Sequence, residues 1–388
     1  MPIGADKFAD LPQTVNELVA DRAIRHALYL ERYKSQLVTD LLEEFNDKLE
    51  PALLAKIEES LRRVSGTSKE LQAIFKTNGE LVKAEYTIME AKLYDQLEEF
   101  SNVESAWLIR TLKANTPITW NFVSPAAGTL RSLITKQPME GALVKDWFKK
   151  LSADTAFAVN REIQMGMVEG EGIDKIVRRI KGTYAAKYTD GILNSPRHHL
   201  QSVVRTATGN ISQIAKDEVY KANTDIVKGV EIIETLDPRT CLECMDKDGN
   251  VYDVGKGPRP PFHFSCRGTT APVLKSWKEL GIPGLGKLPP GTRASSALTK
   301  AEKKRIRKLP KKEKADIMAK LNGQVPATMK YPQWLRKQTI EVQTEAFGGG
   351  PAGLKRANLF RGHKLTIDKF TDRRNRPLTL KKLEKLAD

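Results

Sequence analysis

Cysteine is nearly missing: the 388 residues hold three, and all three fall between positions 241 and 266. That excludes a scaffold held by several disulfides, and the clustering points to a metal site rather than to bridges. Long apolar runs are missing too, which excludes a membrane-spanning helix. The start, MPIGADKFADLPQ, has no basic segment leading into an apolar one, so a secretory signal peptide is not expected. There is no P-loop, no GxGxxG and no HExxH, and no internal repeat or long low-complexity tract. Apolar residues, at 40%, are enough for a core, while 29% charged residues promise a well-solvated surface. At roughly 100–200 residues per domain, two or three domains are expected.

What is present is positive charge in one place. The net charge is +16, yet residues 271–388 alone carry 28 Lys plus Arg against 10 Asp plus Glu. The first 100 residues are acidic, with 13 basic against 19 acidic groups. Such asymmetry points to a partner that is polyanionic at one end only. DNA or RNA is the natural candidate, because neutralised phosphates release counterions. A solvated lysine-rich tail without a dedicated partner is the plainer alternative.

Residues 13–64 read as helix, with Leu30, Tyr33, Leu37, Leu41, Phe45 and Leu49 on one face and a break at Pro51. Residues 81–113 repeat the pattern through Leu81, Ala84, Ile88, Leu93, Leu97, Phe100 and Trp107. Long amphipathic helices need each other's apolar faces, so a hairpin or bundle is expected. Pro117, Pro125, Gly128 and Pro138 mark a linker. Helix is expected again over 139–150, then from an N-cap at Ser152 to about Val168, over Ile173 to Ile180 with Gly182 closing it, and over 196–228. VEIIETL (230–236) and NVYDV (250–254) read as strands, with a tight turn at Asp248-Gly249. From about 280 the chain reads as loop. A basic helix follows at 299–321, broken or kinked at Pro310, then a flexible break at Gly348–Gly350 and a short terminal helix.

The chemistry-bearing pattern is Cys241-x2-Cys244, 18 further residues, then His263-x2-Cys266. Three thiolates and one imidazole make a complete tetrahedral zinc set with no open position, so the site reads as structural. Reduced, partly buried cysteines without a metal are the alternative. A Cys/His nucleophilic dyad lacks a recognisable third group. A calcium loop through Asp246, Asp248, Gly249 and Asn250 would have Gly257, not glutamate, at its twelfth position. His198-His199 reads as a solvated pair near a helix start.

The stretch from LDPRTCLECMDKDGNVYDV through GPRPPFHFSCRGTTAPVL resembles the signature of the phage Mu F-like, or head morphogenesis, family of minor head proteins. The pattern falls on Asp237, Arg239, Thr240, Cys241, Cys244, Asp248, Gly249, Pro260, Pro261, His263, Cys266 and Arg267. Upstream helices, including the one with Arg205-Thr206, and the C-terminal extension are similar too, so the likeness spans roughly 139–388. The family often ends Cys-Arg-Cys and favours proline after the histidine. Here Gly268 and Phe264 stand at those positions.

The resemblance implies an interaction protein of the virion rather than an enzyme: a low-copy head component at the portal vertex. Its implied partners are the portal protein, the major capsid or scaffolding protein, and the double-stranded genome. Candidate phosphate contacts are Lys303, Lys304, Arg305, Arg307, Lys308, Lys311 and Lys312, which position without reading sequence. Trp334 and Phe360 read as core residues. The expected fold is mainly α with a small α+β module. It divides into an N-terminal helical region (1–138), a minor-head module with a zinc-stapled hairpin (139–278) and a basic extension (279–388). A zinc-containing DNA-binding protein acting outside the virion is the rival reading. A head module with a fused enzymatic tail is the other.

Overall fold

A computed structural model describes residues 13–63, 67–116, 119–276, 278–281, 292–362, 364–373 and 375–387. The N-terminal reading on residues 1–12 and most of the loop expected from 280 lie outside these. The fold is mainly helical with two small antiparallel sheets. No helix among the described residues is long and apolar enough to cross a membrane.

Three helices make the N-terminal part, up to Asn115. Helix α1 (Gln13–Glu44) runs through a π-helical turn, Phe45–Leu49, into α2 (Glu50–Arg63). The break expected at Pro51 is thus a wider turn just upstream, and Pro51 sits in the first turn of α2, where its missing N–H costs nothing. The turn keeps Phe45 and Leu49 fully buried. Helix α3 (Ser68–Asn115) opens on a capping box: Thr67 Oγ1 accepts from Glu70 N–H, and Glu70 Oε2 accepts from Thr67 N–H. It buries Val82, Tyr86, Met89, Leu93, Leu97 and Phe100, while Ile88 is 55% exposed. The expected stripe starts on the wrong face before Leu93. Tyr86 and Met89 carry it, and Ala84 and Ile88 face outward.

Helix α4 (Ala127–Lys136) lies within the expected linker. The next helix, α5 (Val144–Val168), is continuous. Ser152 is therefore not an N-cap; it is a buried residue in the third turn, and the helix is started by Asp146, whose carboxylate accepts from Leu143 N–H at 3.3 Å. Helix α6 (Ile173–Lys181) is closed by Gly182 at φ +97°. Helix α7 (Asn194–Ala222) buries Leu200, Val203, Val204, Ala207, Ile211, Ile214, Ala215 and Val219. It ends earlier than expected because Asn223 leaves the helix to exchange side-chain hydrogen bonds with the backbone of Val123 at 2.7 and 2.9 Å. One core joins α1, α2, α3, α5, α6 and α7.

Strand β1 (Val227–Ile233) lies between β2 (Val251–Asp253) and β3 (Thr269–Leu274), antiparallel to both. Val230 pairs with Tyr252 on one side and Pro272 on the other. A short helix, α8 (Leu242–Lys247), bridges β1 and β2. Where loop was expected, β4 (Thr292–Ser296) pairs with β5 (Asn322–Pro326), Ala294 facing Gln324. Five residues of Thr, Arg, Ala and Ser carry no apolar alternation, so the strand is set by its partner rather than by its own pattern. Between them stand α9 (Lys300–Ile306) and α10 (Lys311–Leu321), separated at Pro310 as expected.

The rest forms α11 (Tyr331–Arg336), α12 (Ile340–Ala346), α13 (Gly350–Arg361), a 3-10 turn at Ile367–Phe370 and α14 (Leu380–Ala387). These surround their own core, which includes Trp334 and Phe360 as expected. The glycine run is a tight turn between α12 and α13. Gly348, Gly349 and Gly350 all have positive φ, which residues with a Cβ rarely adopt in succession.

Candidate metal centre

The two halves of the Cys/His pattern sit on different supports. Cys241 immediately precedes α8 and Cys244 lies within it. His263 and Cys266 belong to the irregular segment between β2 and β3, where Cys266 N–H donates to His263 O at 3.1 Å. That second loop is pinned from three sides. Ser265 N–H donates to Thr206 Oγ1 on α7 at 2.9 Å, and Lys34 Nζ on α1 donates to Cys266 O at 3.3 Å. Phe264, standing where the family favours proline, meets the Trp147 ring of α5 edge-on at 5.1 Å.

Asp237 and Arg267 clamp the loops to each other. Both Arg267 amino groups reach the Asp237 carboxylate, at 2.6 and 2.8 Å, and Arg239 reaches it as well. The Arg267 guanidinium beside Asp237 holds that carboxyl below the usual aspartate range despite burial. Thr240 donates to Thr235 O at 2.6 Å, fixing the turn that leads to Cys241. Asp248 is committed elsewhere: it accepts from Glu234 N–H at 2.8 Å, Tyr331 N–H at 2.6 Å and both amino groups of buried Arg293. A carboxylate so occupied is not available to calcium, which removes the calcium-loop alternative. Gly249 (φ +77°) has no room for a Cβ, which would meet the Lys330 side chain at 2.7 Å.

These supports bring the four sequence-picked donors together. Cys241 Sγ and Cys244 Sγ lie 3.3 and 3.4 Å from His263 Nε2, and Cys244 Sγ lies 3.8 Å from Cys266 Sγ. Legs of about 2.3 Å to sulfur and about 2.0 Å to nitrogen put tetrahedral S···S edges near 3.8 Å and S···N edges near 3.5 Å. Three edges of such a figure are in place, and Cys241, Cys244 and His263 form one group of mutually close donor atoms. His263 Nδ1 is 2.9 Å from Phe264 O, a partner for its N–H that leaves Nε2 to the sulfurs. Cys244 and Cys266 are buried.

Without a cation the cluster settles its charge by sharing protons. Hydrogen bonding with Cys244 and His263 brings the Cys241 thiol down to about 4, and Cys266 likewise falls to about 4. Cys244, the donor to both, is pushed up, and His263 rises to about 11 through its bonds to Cys241 and Cys266. A bound dication would displace the protons on Cys244 and His263. The residues could hold a metal ion.

Sequence reasoning missed one member. Glu234, just past β1, brings its carboxylate to the buried side of the cluster, where Glu234, Cys244 and Cys266 form a second group of three donor atoms mutually within 4.8 Å. The signal was a charged residue inside the apolar run VEIIETL. His198 and His199 are exposed near the start of α7. Of the basic candidates, Lys304, Arg305, Arg307, Lys308, Lys311 and Lys312 are exposed on and around α9 and α10, and Lys303 is half-buried. No side chain of α10 is buried.

Residues 158–271 match the family model described as Phage Mu protein F like protein. The matched segment runs from α5 into β3 and contains all four sequence-picked donors together with Asp237, Asp248 and Arg267. This stretch is similar to Phage Mu protein F-like proteins. Residues 272–388 lie beyond the match. No curated protein and no solved structure matches the chain.

Proposed function

We propose that the chain is a minor head protein of a tailed bacteriophage, held at the portal vertex and contacting the packaged genome. The observation that carries this reading is the Mu F-like match over the segment that builds the cluster. In this reading Cys241, Cys244, His263 and Cys266 hold a structural zinc ion. Every donor comes from the protein, so the ion staples α8 to the 258–268 loop rather than activating a substrate. The protein acts by binding rather than by catalysis. The helical part, the zinc-stapled module and the basic extension at 279–388 divide the work between portal or capsid protein and DNA.

The genome contact is assigned to Lys303, Lys304, Arg305, Arg307, Lys308, Lys311 and Lys312. Seven phosphate contacts give a log–log salt slope of about −6 on duplex DNA, with no sequence preference. The test is co-purification of the full chain with the portal protein, alongside DNA binding across a salt series. Portal capture with steep, sequence-indifferent DNA binding supports the proposal. DNA binding with a marked sequence preference and no portal capture would favour a DNA-binding protein acting outside the virion.

A further inference from the structure

We infer that Glu234 is a ligand of the metal centre, giving an oxygen donor beside Cys244 and Cys266. This rests on the metal reading above and extends it beyond the Cys3His set.

Four observations carry it. Glu234 is 3% exposed, and its Oε1 has no hydrogen-bond partner. A buried carboxylate oxygen left unpaired is among the costlier arrangements a fold can keep, unless a cation belongs there. Its backbone is fixed on both sides: the N–H is held by Asp248 Oδ1 and the carbonyl accepts from Arg293 Nη2 at 2.5 Å. The backbone so fixed turns the side chain toward the sulfurs, where the carboxylate hydrogen-bonds with Cys244 while Oε1 stays unpaired. Its carboxylate, Cys244 Sγ and Cys266 Sγ are mutually within 4.8 Å, the separation expected of atoms about one ion.

The fourth observation is the space the carboxylate fills. A Cβ on Gly268 would lie 2.3 Å from Glu234 Oε1, so the carboxylate occupies the volume that a side chain at 268 would take. Glycine at 268 and glutamate at 234 are one arrangement. Cys244 belongs to both three-donor groups, with Cys241 and His263 on one side and Glu234 and Cys266 on the other. An ion beside Cys244 meets an oxygen donor as well as the thiolates and imidazole.

The test is cobalt(II) loading of the full chain, comparing the native protein with Glu234→Gln. Thiolate-to-cobalt charge-transfer bands report the sulfurs, and ligand-field bands report coordination number. With Glu234 bound, the native ligand-field bands are weak, as for five donors. Glu234→Gln strengthens them toward the tetrahedral pattern, leaves the charge-transfer bands in place and weakens zinc binding about tenfold or more. Gly268→Ala, which keeps the carboxylate but takes its space, produces the same ligand-field change and guards against misfolding of the first variant. Ligand-field bands unchanged in both variants would overturn the inference while leaving the Cys3His centre standing. A native chain that binds neither cobalt nor zinc overturns both.

Discussion

The two parts of the basic C-terminal third share a charge sign and little else. Residues 292–326 contain no aromatic residue and fold as the β4–α9–α10–β5 excursion, with α10 burying nothing. Residues 331–387 contain Tyr331, Trp334, Phe347, Phe360 and Phe370, all buried in one core. Arg336 even lays its guanidinium over the Phe360 ring at 4.2 Å. Positive charge by itself does not mark a binding surface. Where aromatics are interleaved, a cation such as Arg336 rides on a packed core; where they are absent, the lysines of α10 are exposed while Arg293 is buried against Asp248.

The sharpest way to break this comparison is to remove an aromatic. Phe360→Ala is expected to cost about 3–5 kcal/mol in chemical denaturation, since the ring is fully buried. A loss below about 1 kcal/mol would make the C-terminal core looser than its packing indicates. Asp248→Ala comes next, because Asp248 fastens both parts to the central module through Arg293 and Tyr331 N–H. Leaving Arg293 buried without its carboxylate is expected to cost about 3 kcal/mol and to raise amide exchange in β4 and α11 together. Exchange rising in only one of them would show that the parts dock independently. The smallest stability effect belongs to the excursion: changing Lys304, Arg305, Lys311 and Lys312 to glutamine should shift stability by no more than about 0.5 kcal/mol. The same change should flatten the salt dependence of DNA binding by about 4 units of slope. An unaltered slope would remove α9 and α10 from the DNA contact.

Much of this was legible in the sequence, for physical reasons that vary by element. Helices α1 and α7 announce themselves because their burial follows one stripe along the whole length. In α3 the stripe shifts by about one position near Ile88, and a period carried forward from the wrong residue lands on the outer face. Ser152 imitates a cap because a serine ahead of an acidic residue looks alike at a helix start and inside one. Strand β4 has no pattern of its own and exists through pairing with residues some thirty positions later. Three of the candidate metal donors were readable as cysteines and the fourth as a histidine at matching spacing. Glu234 was not, since its role depends on the empty volume at Gly268, which no local pattern encodes.

The attachment of α1 to the far end of the central module has a consequence for how the chain comes off the ribosome. Asn16 Oδ1 accepts from Leu274 N–H at 2.9 Å, and Lys34 reaches Cys266 O. The first helix therefore waits for a partner 258 residues downstream. At about 5–20 residues per second, that is roughly 13–50 s of synthesis with its apolar face only partly covered. During that interval α1 leans first on α2 and α3 and then on α7, which joins the same core before Leu274 is made. The loop bearing Cys266 then arrives on a surface already formed, and the Cys/His cluster is among the last features of the Mu F-like segment to close.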